Sequence, residues 1–297
     1  MKLTTSIKIS IKRYLPAFLF KCIHTIYNIT IAKFEGILFA FRIRGFTEKM
    51  VVPLSYFGHS FSLLINPKNG FLDKQIYAYK KYEVHILEEM MKNIHRGMTV
   101  LDVGANIGHH SLFMSRLVGA TGKVIALEPM LAMREQFEKS IALNSITNIN
   151  IEPLALGEKE STETIYINKG SVASSSIVNT SKGDTEETIH VVTLDSLSLA
   201  PSFMKIDVEG YEYFALQGGE ETVAQQHPVI LLEYSPIYYR KSNPSHSKDI
   251  ITFLRRHNYS IFDLEDGHKK IIDDSAFISS FAEGLRSQTN IICIPKN

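Results

Sequence analysis

The stretch Lys205-Ile206-Asp207-Val208-Glu209-Gly210-Tyr211-Glu212 sets one ammonium and three carboxylates within eight residues, directly after a short apolar run. Carboxylates gathered at a strand end can hold a cation, take a proton from a hydroxyl, or bind oxygens through a metal. Capping of a following helix by Asp207 or Glu209 is the structural alternative, and both roles can coexist. A second chemistry-bearing stretch is Thr99-Val100-Leu101-Asp102-Val103-Gly104-Ala105-Asn106-Ile107-Gly108. Here an apolar run ends in an acid, and Gly104 and Gly108 bracket a turn that leads into a helix. Such a turn lets backbone approach a ligand, and the helix start offers unpaired N–H groups. The spacing is G-x-x-x-G, not the G-x-G-x-x-G of dinucleotide folds, and Asn106 stands where the middle glycine belongs. Asn tolerates a left-handed backbone but crowds a pyrophosphate. The loop therefore suits a nucleoside without a diphosphate better than NAD, and a nicotinamide-dependent oxidoreductase is the weaker reading. A bare strand-to-helix turn is the bland one.

Glu128 closes another apolar run 20 residues after Gly108, where a carboxylate can accept hydrogen bonds from ribose hydroxyls. Glu233 ends the run Pro228–Glu233 and reads equally as site wall or plain strand terminus. His109 and His110 open a helix, where imidazoles commonly cap or pack. H-E-x-x-H, C-x-x-C and G-x-S-x-G are absent from the sequence, which removes support for zincin, redox and α/β-hydrolase chemistry.

These residues need strands to present them. The pattern predicts strands at 99–103, 123–127, 149–153, 203–207, 228–233, 259–263 and 290–294. Helices are predicted at 82–95, 107–118, along a face carrying Met133, Phe137 and Ile141, at 211–216 and at 248–256. Residues 51–76 read as short extended pieces broken by Pro53, Gly58, Pro67 and Gly70. Segments 163–168 and 188–192 read as a hairpin-like insertion around the Ser-rich turn Ser171–Ser176. Strands alternating with helices predict a mostly parallel α/β sheet covered on both faces. The absence of a long helix before the last strand suggests that this strand pairs antiparallel.

The chain has 297 residues, 44% of them hydrophobic, and a net charge of +1, which points to no nucleic-acid partner. Two cysteines, Cys22 and Cys293, exclude a disulfide scaffold and fit a reducing, cytoplasmic setting. Residues 1–50 nevertheless carry nine Lys or Arg against Glu35 and Glu48, so the remainder carries about −6. Ile7, Ile11, Leu15 and Phe18 fall at helical spacing in this segment. Charged residues interrupt it too often for a span of roughly 20 apolar residues. The sequence divides into a basic, apolar extension at 1–55 and a catalytic domain at 56–297. The extension reads as a helical cap, or as an arm giving peripheral contact with an anionic membrane through residues 1–50.

Taken together, Val100–Gly108, Ala126–Pro129, Leu154–Gly157, Val192–Leu197 and Met204–Glu212 resemble the FkbM-type S-adenosylmethionine-dependent methyltransferases. The resemblance covers roughly residues 60–295, and its most specific parts are the two stretches described first. It implies a seven-stranded Rossmann-like methyltransferase sheet with a reversed final strand. It also implies that Asp102, Gly104, Asn106 and Gly108 line the methionine end of S-adenosylmethionine, that Glu128 holds the ribose, and that the Ala155–Leu156 backbone lies near adenine. Tyr82 and Glu83 match a Tyr-Glu pair of the family and would close the cofactor site. The acceptor implied is a hydroxyl of a sugar, glycolipid or secondary metabolite. Because such a hydroxyl is a poor nucleophile, Asp207 and Glu209 are the candidates for removing its proton, and Lys205 for orienting it. A divalent cation held by the carboxylates is the alternative route, and a non-catalytic cofactor-binding module the alternative role.

Overall fold

The runs Val124–Leu127 and Ile230–Leu232 are apolar along their whole length, and Val100–Val103 and Phe203–Ile206 are interrupted only by Asp102 and Lys205. In a computed structural model of the chain they are strands buried on both faces. Such strands lie inside a parallel sheet with helices on either side. The structure describes residues 35–67, 69–167, 185–239, 243, 245–282 and 286–296. It divides into two compact units, residues 1–47 and Glu48–Asn297. In the first unit residues 35–42 are helical, with Ile37 and Phe41 exposed.

The second unit opens with β1 (Met50–Tyr56) and β2 (His59–Ile65), an antiparallel pair whose alternate residues are buried. β1 thus belongs to this unit, although Met50–Ser55 stand within the 1–55 extension delimited from the sequence. Then follow α1 (Phe71–Tyr79), α2 (Val84–Asn93), β3 (Thr99–Val103), α3 (His109–Val118), β4 (Lys123–Leu127), α4 (Leu131–Leu143) and β5 (Ile149–Glu152). A side sheet is formed by β6 (Leu154–Leu156), β7 (Ser161–Ile167) and β8 (Thr185–Val192). The chain returns through β9 (Phe203–Ile206), α5 (Glu212–Gln217), α6 (Glu220–Gln226), β10 (Val229–Tyr234), α7 (Pro236–Tyr239) and α8 (His246–Arg256). It ends with β11 (Tyr259–Asp263), β12 (Lys269–Lys270), α9 (Asp274–Ala282) and β13 (Thr289–Pro295).

The main sheet runs β12-β11-β13-β10-β9-β3-β4-β5. β3, β4, β5, β9 and β10 pair in parallel, and β13 is antiparallel to both β10 and β11. The expected α/β fold with a reversed final strand is therefore present. Its seven strands are joined by an eighth, the two-residue β12 at the edge. β7 and β8 form the expected hairpin-like pair, from Ser161 opposite Val191 to Ile167 opposite Thr185. The Ser-rich turn at 171–176 lies outside the described residues.

Two local expectations need correction. Phe71–Tyr79 is a helix, not an extended piece: after Gly70 the run holds no breaker, and Leu72, Ile76 and Tyr79 recur at helical spacing. Likewise the nine-residue α9 intervenes before β13, yet β13 still runs antiparallel. Strand direction there is set by the slot it fills between β10 and β11, not by the connection.

β2 is tied to α4 by side chains as well as by packing. Leu64 N–H donates to Ser140 Oγ (3.1 Å) and Ser62 N–H to Asn144 Oδ1 (2.7 Å). This seats the hairpin beside the carboxyl end of β3, where the candidate residues gather.

Candidate functional site

The topology brings the carboxyl ends of β3, β4, β9 and β10 to one edge of the sheet, the edge where α/β folds bind ligands. Gly104 follows β3 and Asp207 follows β9, and these two strands are neighbours with Asp102 opposite Lys205. Gly104 has φ +80°, and a Cβ on it would sit 2.0 Å from the Asp207 carbonyl oxygen. Only glycine lets the two stretches touch, so the loop and the acidic run form one wall. Asn106 adopts φ +53°, the left-handed backbone that its side chain tolerates.

Two cavities open at this edge and share Gly104, Asn106, Asp207 and Glu209. The larger, about 650 Å³, falls in the range of small-molecule sites. Its wall includes Glu83, Lys205, Asp207, Glu209, Glu233 and Tyr238, with Phe71 and Tyr79 of α1 contributing aromatic surface. The smaller, about 80 Å³, is a slot between Glu128 and the apolar side chains of Leu127, Met130, Leu154, Leu156 and Ile165. Ala155 and Leu156 line it, next to Tyr211.

Glu128 is buried, and its two oxygens accept the N–H groups of Asn106 (2.7 Å) and Met130 (2.9 Å). Burial pushes its carboxyl up to about 7 against those hydrogen bonds. Glu83 sits at φ +42°, a strained backbone for a side chain of this size. Its Oε2 lies 3.3 Å from His110 Nε2. Burial works to raise the Glu83 carboxyl, but the His110 hydrogen bond and charge outweigh it and hold the group below the usual range. The loop carrying Glu83 is fastened from β1: Tyr56 Oη accepts the Tyr82 N–H at 3.1 Å and hydrogen-bonds His109 Nε2 at 3.1 Å. Burial depresses the His109 imidazole, so it stays neutral.

Lys205 is the buried cation of the wall, 3.0 Å from Asp207 Oδ2 and 3.6 Å from Asp102 Oδ1. Burial alone would lower its ammonium, but the charges of Asp207 and Asp102 raise it overall. Lys205 is thus committed to holding two carboxylates. Burial and the nearby Asp207 charge push Glu209 up to about 7, with the Tyr238 hydroxyl donating to its Oε2. Glu233 accepts from Gln288 Nε2 (2.9 Å), and burial together with Asp207, Glu209 and Glu212 raises it to about 10.

Glu83, Gly104, Asn106, Glu128, Ala155, Leu156, Lys205, Asp207 and Glu209 therefore meet in the two adjoining cavities. Asp102 and Gly108 do not line them. Asp102 is fully buried beneath the wall, where Ser111 Oγ donates to its Oδ2 at 2.5 Å. Gly108 packs against the Phe137 ring. Glu233 belongs to the wall, and so do His109 and His110. Tyr238, Gln288 and the aromatic face of α1 were not singled out from the sequence. The run Glu233-Tyr-Ser-Pro-Ile-Tyr-Tyr was the available signal for Tyr238, whereas nothing local marks Gln288. Among the described residues, no three His, Cys, Asp or Glu side chains converge as a metal site.

The model of the methyltransferase FkbM domain matches residues 102–261. No curated protein matches the chain in sequence. Among solved structures, the methyltransferase FkbM from Methylobacillus flagellatus KT is 15% identical, with TM-score 0.44, over 74% of this chain and 52% of that one. This chain thus spans about half the length of that protein. A precorrin-6y C5,15-methyltransferase from Geobacter metallireducens GS-15 is 13% identical, with TM-score 0.42, over 73% and 89% of the two chains. A tRNA (uracil-54, C5)-methyltransferase from Pyrococcus abyssi, in complex with S-adenosyl-L-homocysteine, is 10% identical, with TM-score 0.43, over 83% and 44%.

Proposed function

The chain belongs to the FkbM methyltransferase family, and from that premise we propose that it is an S-adenosylmethionine-dependent O-methyltransferase acting on a hydroxyl of a sugar, glycolipid or secondary metabolite. One observation carries the reading. An acidic cavity large enough for an acceptor adjoins, through four shared residues, an apolar slot ended by a buried glutamate. S-adenosylmethionine supplies an activated methyl on a sulfonium centre and bears an ammonium on its amino-acid end. A wall holding Glu83, Asp207 and Glu209, with Lys205 committed to two carboxylates and Lys81 exposed, favours such a cationic ligand over a diphosphate.

The residues fit the cofactor part by part. Leu127, Met130, Leu154 and Leu156 offer an apolar slot of the kind that takes a flat base. Glu128 already accepts two backbone N–H groups and has lone pairs left for ribose hydroxyls. Glu83, kept ionised, suits the ammonium. Glu209, near 7, is poised to take the acceptor's hydroxyl proton at neutral pH, and Asp207 is held in place by Lys205. Positioning of acceptor against donor accounts for much of the acceleration, on the order of 7–11 kcal/mol for well-aligned reactants.

Calorimetric titration with S-adenosylmethionine and NAD, followed by mass spectrometry of glycan extracts from wild-type and deletion strains, tests the reading. Binding of S-adenosylmethionine and loss of one methyl group from an extract component are expected. Tight NAD binding without S-adenosylmethionine binding would overturn it. A lipid contact through residues 1–50 is tested separately, by sedimenting full-length and truncated protein with anionic vesicles. Equal sedimentation would dismiss that contact. Among the described residues, no helix is long and apolar enough to cross a membrane.

A further inference from the structure

Glu233 lies in the acidic wall but has no part in the chemistry assigned so far. It follows Leu232, which pairs with Ile206, so it stands level with Asp207 on the neighbouring strand. Its Oε1 accepts from Gln288, while Oε2 is buried and makes no hydrogen bond within the described chain. The groups facing it are Asp207, Glu209 and Glu212 from β9 and the turn after it, together with the hydroxyls of Tyr82, Tyr238 and Ser235. None of them is a cation.

Four carboxylates, Glu83, Asp207, Glu209 and Glu233, line this cavity with two ammonium groups, the buried Lys205 and the exposed Lys81. Lys205 is the buried cation beside Asp207, so burial disfavours ionising Asp207, Glu209 and Glu233 together. Asp207 has the lysine at 3.0 Å, and Glu209 has the Tyr238 hydroxyl. Glu233 has the neutral Gln288 amide and the Ser235 hydroxyl, which works to lower it, yet burial with its like-charged neighbours outweighs both and raises it furthest. A proton placed on Oε2 would be a buried donor without a partner, which a bound ligand oxygen would satisfy.

We propose that Glu233 is an acceptor-binding residue, standing in the wall as the neutral acid and donating its O–H to a second oxygen of the acceptor, beside the hydroxyl that gives its proton to Glu209. This rests on the O-methyl transfer reading above. The proton on Glu233 stays there through the reaction, so the group selects and aligns the acceptor and takes no part in the proton transfer. An acceptor with a neighbouring oxygen is favoured over an isolated hydroxyl. A carboxylate or phosphate at that position meets Asp207 and Glu209 and is disfavoured.

Infrared difference spectra of protein labelled with ¹³C-carboxyl glutamate, wild type against Glu233→Gln at pH 8, read the protonation directly. Loss of a carboxylic-acid band is expected, and loss of a carboxylate band instead would overturn the proposal. In parallel, methyl-labelled S-adenosylmethionine is incubated with a glycan extract and with wild type, Glu233→Gln or Glu233→Leu. Leu removes the donor and should lower incorporation roughly 10²-fold. Gln restores an N–H and should recover about tenfold of that loss. Equal loss in both variants, or none in Glu233→Leu, contradicts the role. Calorimetry with S-adenosylmethionine shows whether each variant still folds a cofactor slot. Wild type that incorporates no label would defeat the transferase reading, and the infrared arm would still decide the state of Glu233.

Discussion

Glu209 and Glu233 are the same residue type in one wall, yet their surroundings set them apart. Glu209, near 7, receives the Tyr238 hydroxyl, and that bond favours its charged form. With Glu209 as the proposed base, the ionised form is the active one, so kcat/KM should rise with pH through about 7. Glu209→Gln should lower kcat by roughly 10²–10⁴-fold and abolish that rise, as measured by labelled methyl transfer across pH 5.5–9. Tyr238→Phe removes the bond that lowers Glu209 and should move the rise to higher pH while leaving a working base. An unmoved profile in Tyr238→Phe would mean that the hydroxyl does not tune the base. The sequence made Asp207 and Glu209 legible because both fall at the end of an apolar run. It did not reveal their partners, since Tyr238 and Gln288 arrive from α7, after β10, and from the segment before β13, through folding alone.

At the level of elements, the site depends on two turns that fit each other closely. Glu212 is fully buried and accepts N–H groups from Val208 (3.3 Å) and Gly210 (2.9 Å) on one oxygen and the Tyr239 hydroxyl (2.5 Å) on the other. It shapes the turn that presents Asp207 and Glu209, and so serves the site without lining it. Gly104 meets that turn from the other strand, and Gly104→Ala would drive a Cβ into the Asp207 carbonyl while adding left-handed strain. A loss of about 3 kcal/mol of stability and at least a tenfold weaker S-adenosylmethionine affinity are expected. Thermal melting and calorimetry check both, and a normal affinity at unchanged Tm would show that the turns can separate freely. Strands β3, β4, β9 and β10 were readable in the sequence because burial demands short, largely apolar runs, interrupted in β3, β9 and β10 only by Asp102, Lys205 and Glu233. α1 was not, because Pro67 and Gly70 precede it and most of its side chains stay partly exposed. The half of the site built on the ends of β3, β4 and β9 was therefore clearer in the sequence than the aromatic face of α1.

For the whole molecule, a net charge of +1 hides an acidic cavity offset by basic residues concentrated in the first 50 positions. The buried acids also set how stability follows pH. Asp73 is raised from 3.8 to about 6, Glu128 from 4.5 to about 7 and Glu233 from 4.5 to about 10, burial being the leading cause in each. In the unfolded chain these groups lose their protons at ordinary pH, so the unfolded state binds fewer protons above about pH 4. Their contribution to stability is then full below that value and is lost as pH rises through 6, 7 and 10. Glu83 and Asp263 are shifted downward and act in the opposite sense, contributing above the ordinary carboxylate range and failing in acid. Cofactor-free protein should accordingly melt highest in mildly acidic solution and lose Tm toward pH 9. Glu233→Gln does not titrate at that position, so its Tm should fall less, and its advantage over wild type should widen steadily from pH 5 to pH 9. On the proposed reading the ionised wall binds S-adenosylmethionine more tightly, and the Tm increase it produces should be larger at pH 8 than at pH 6, because Glu209 ionises between them. Parallel melting curves for wild type and Glu233→Gln over that range would show that Glu233 is ionised in the folded chain.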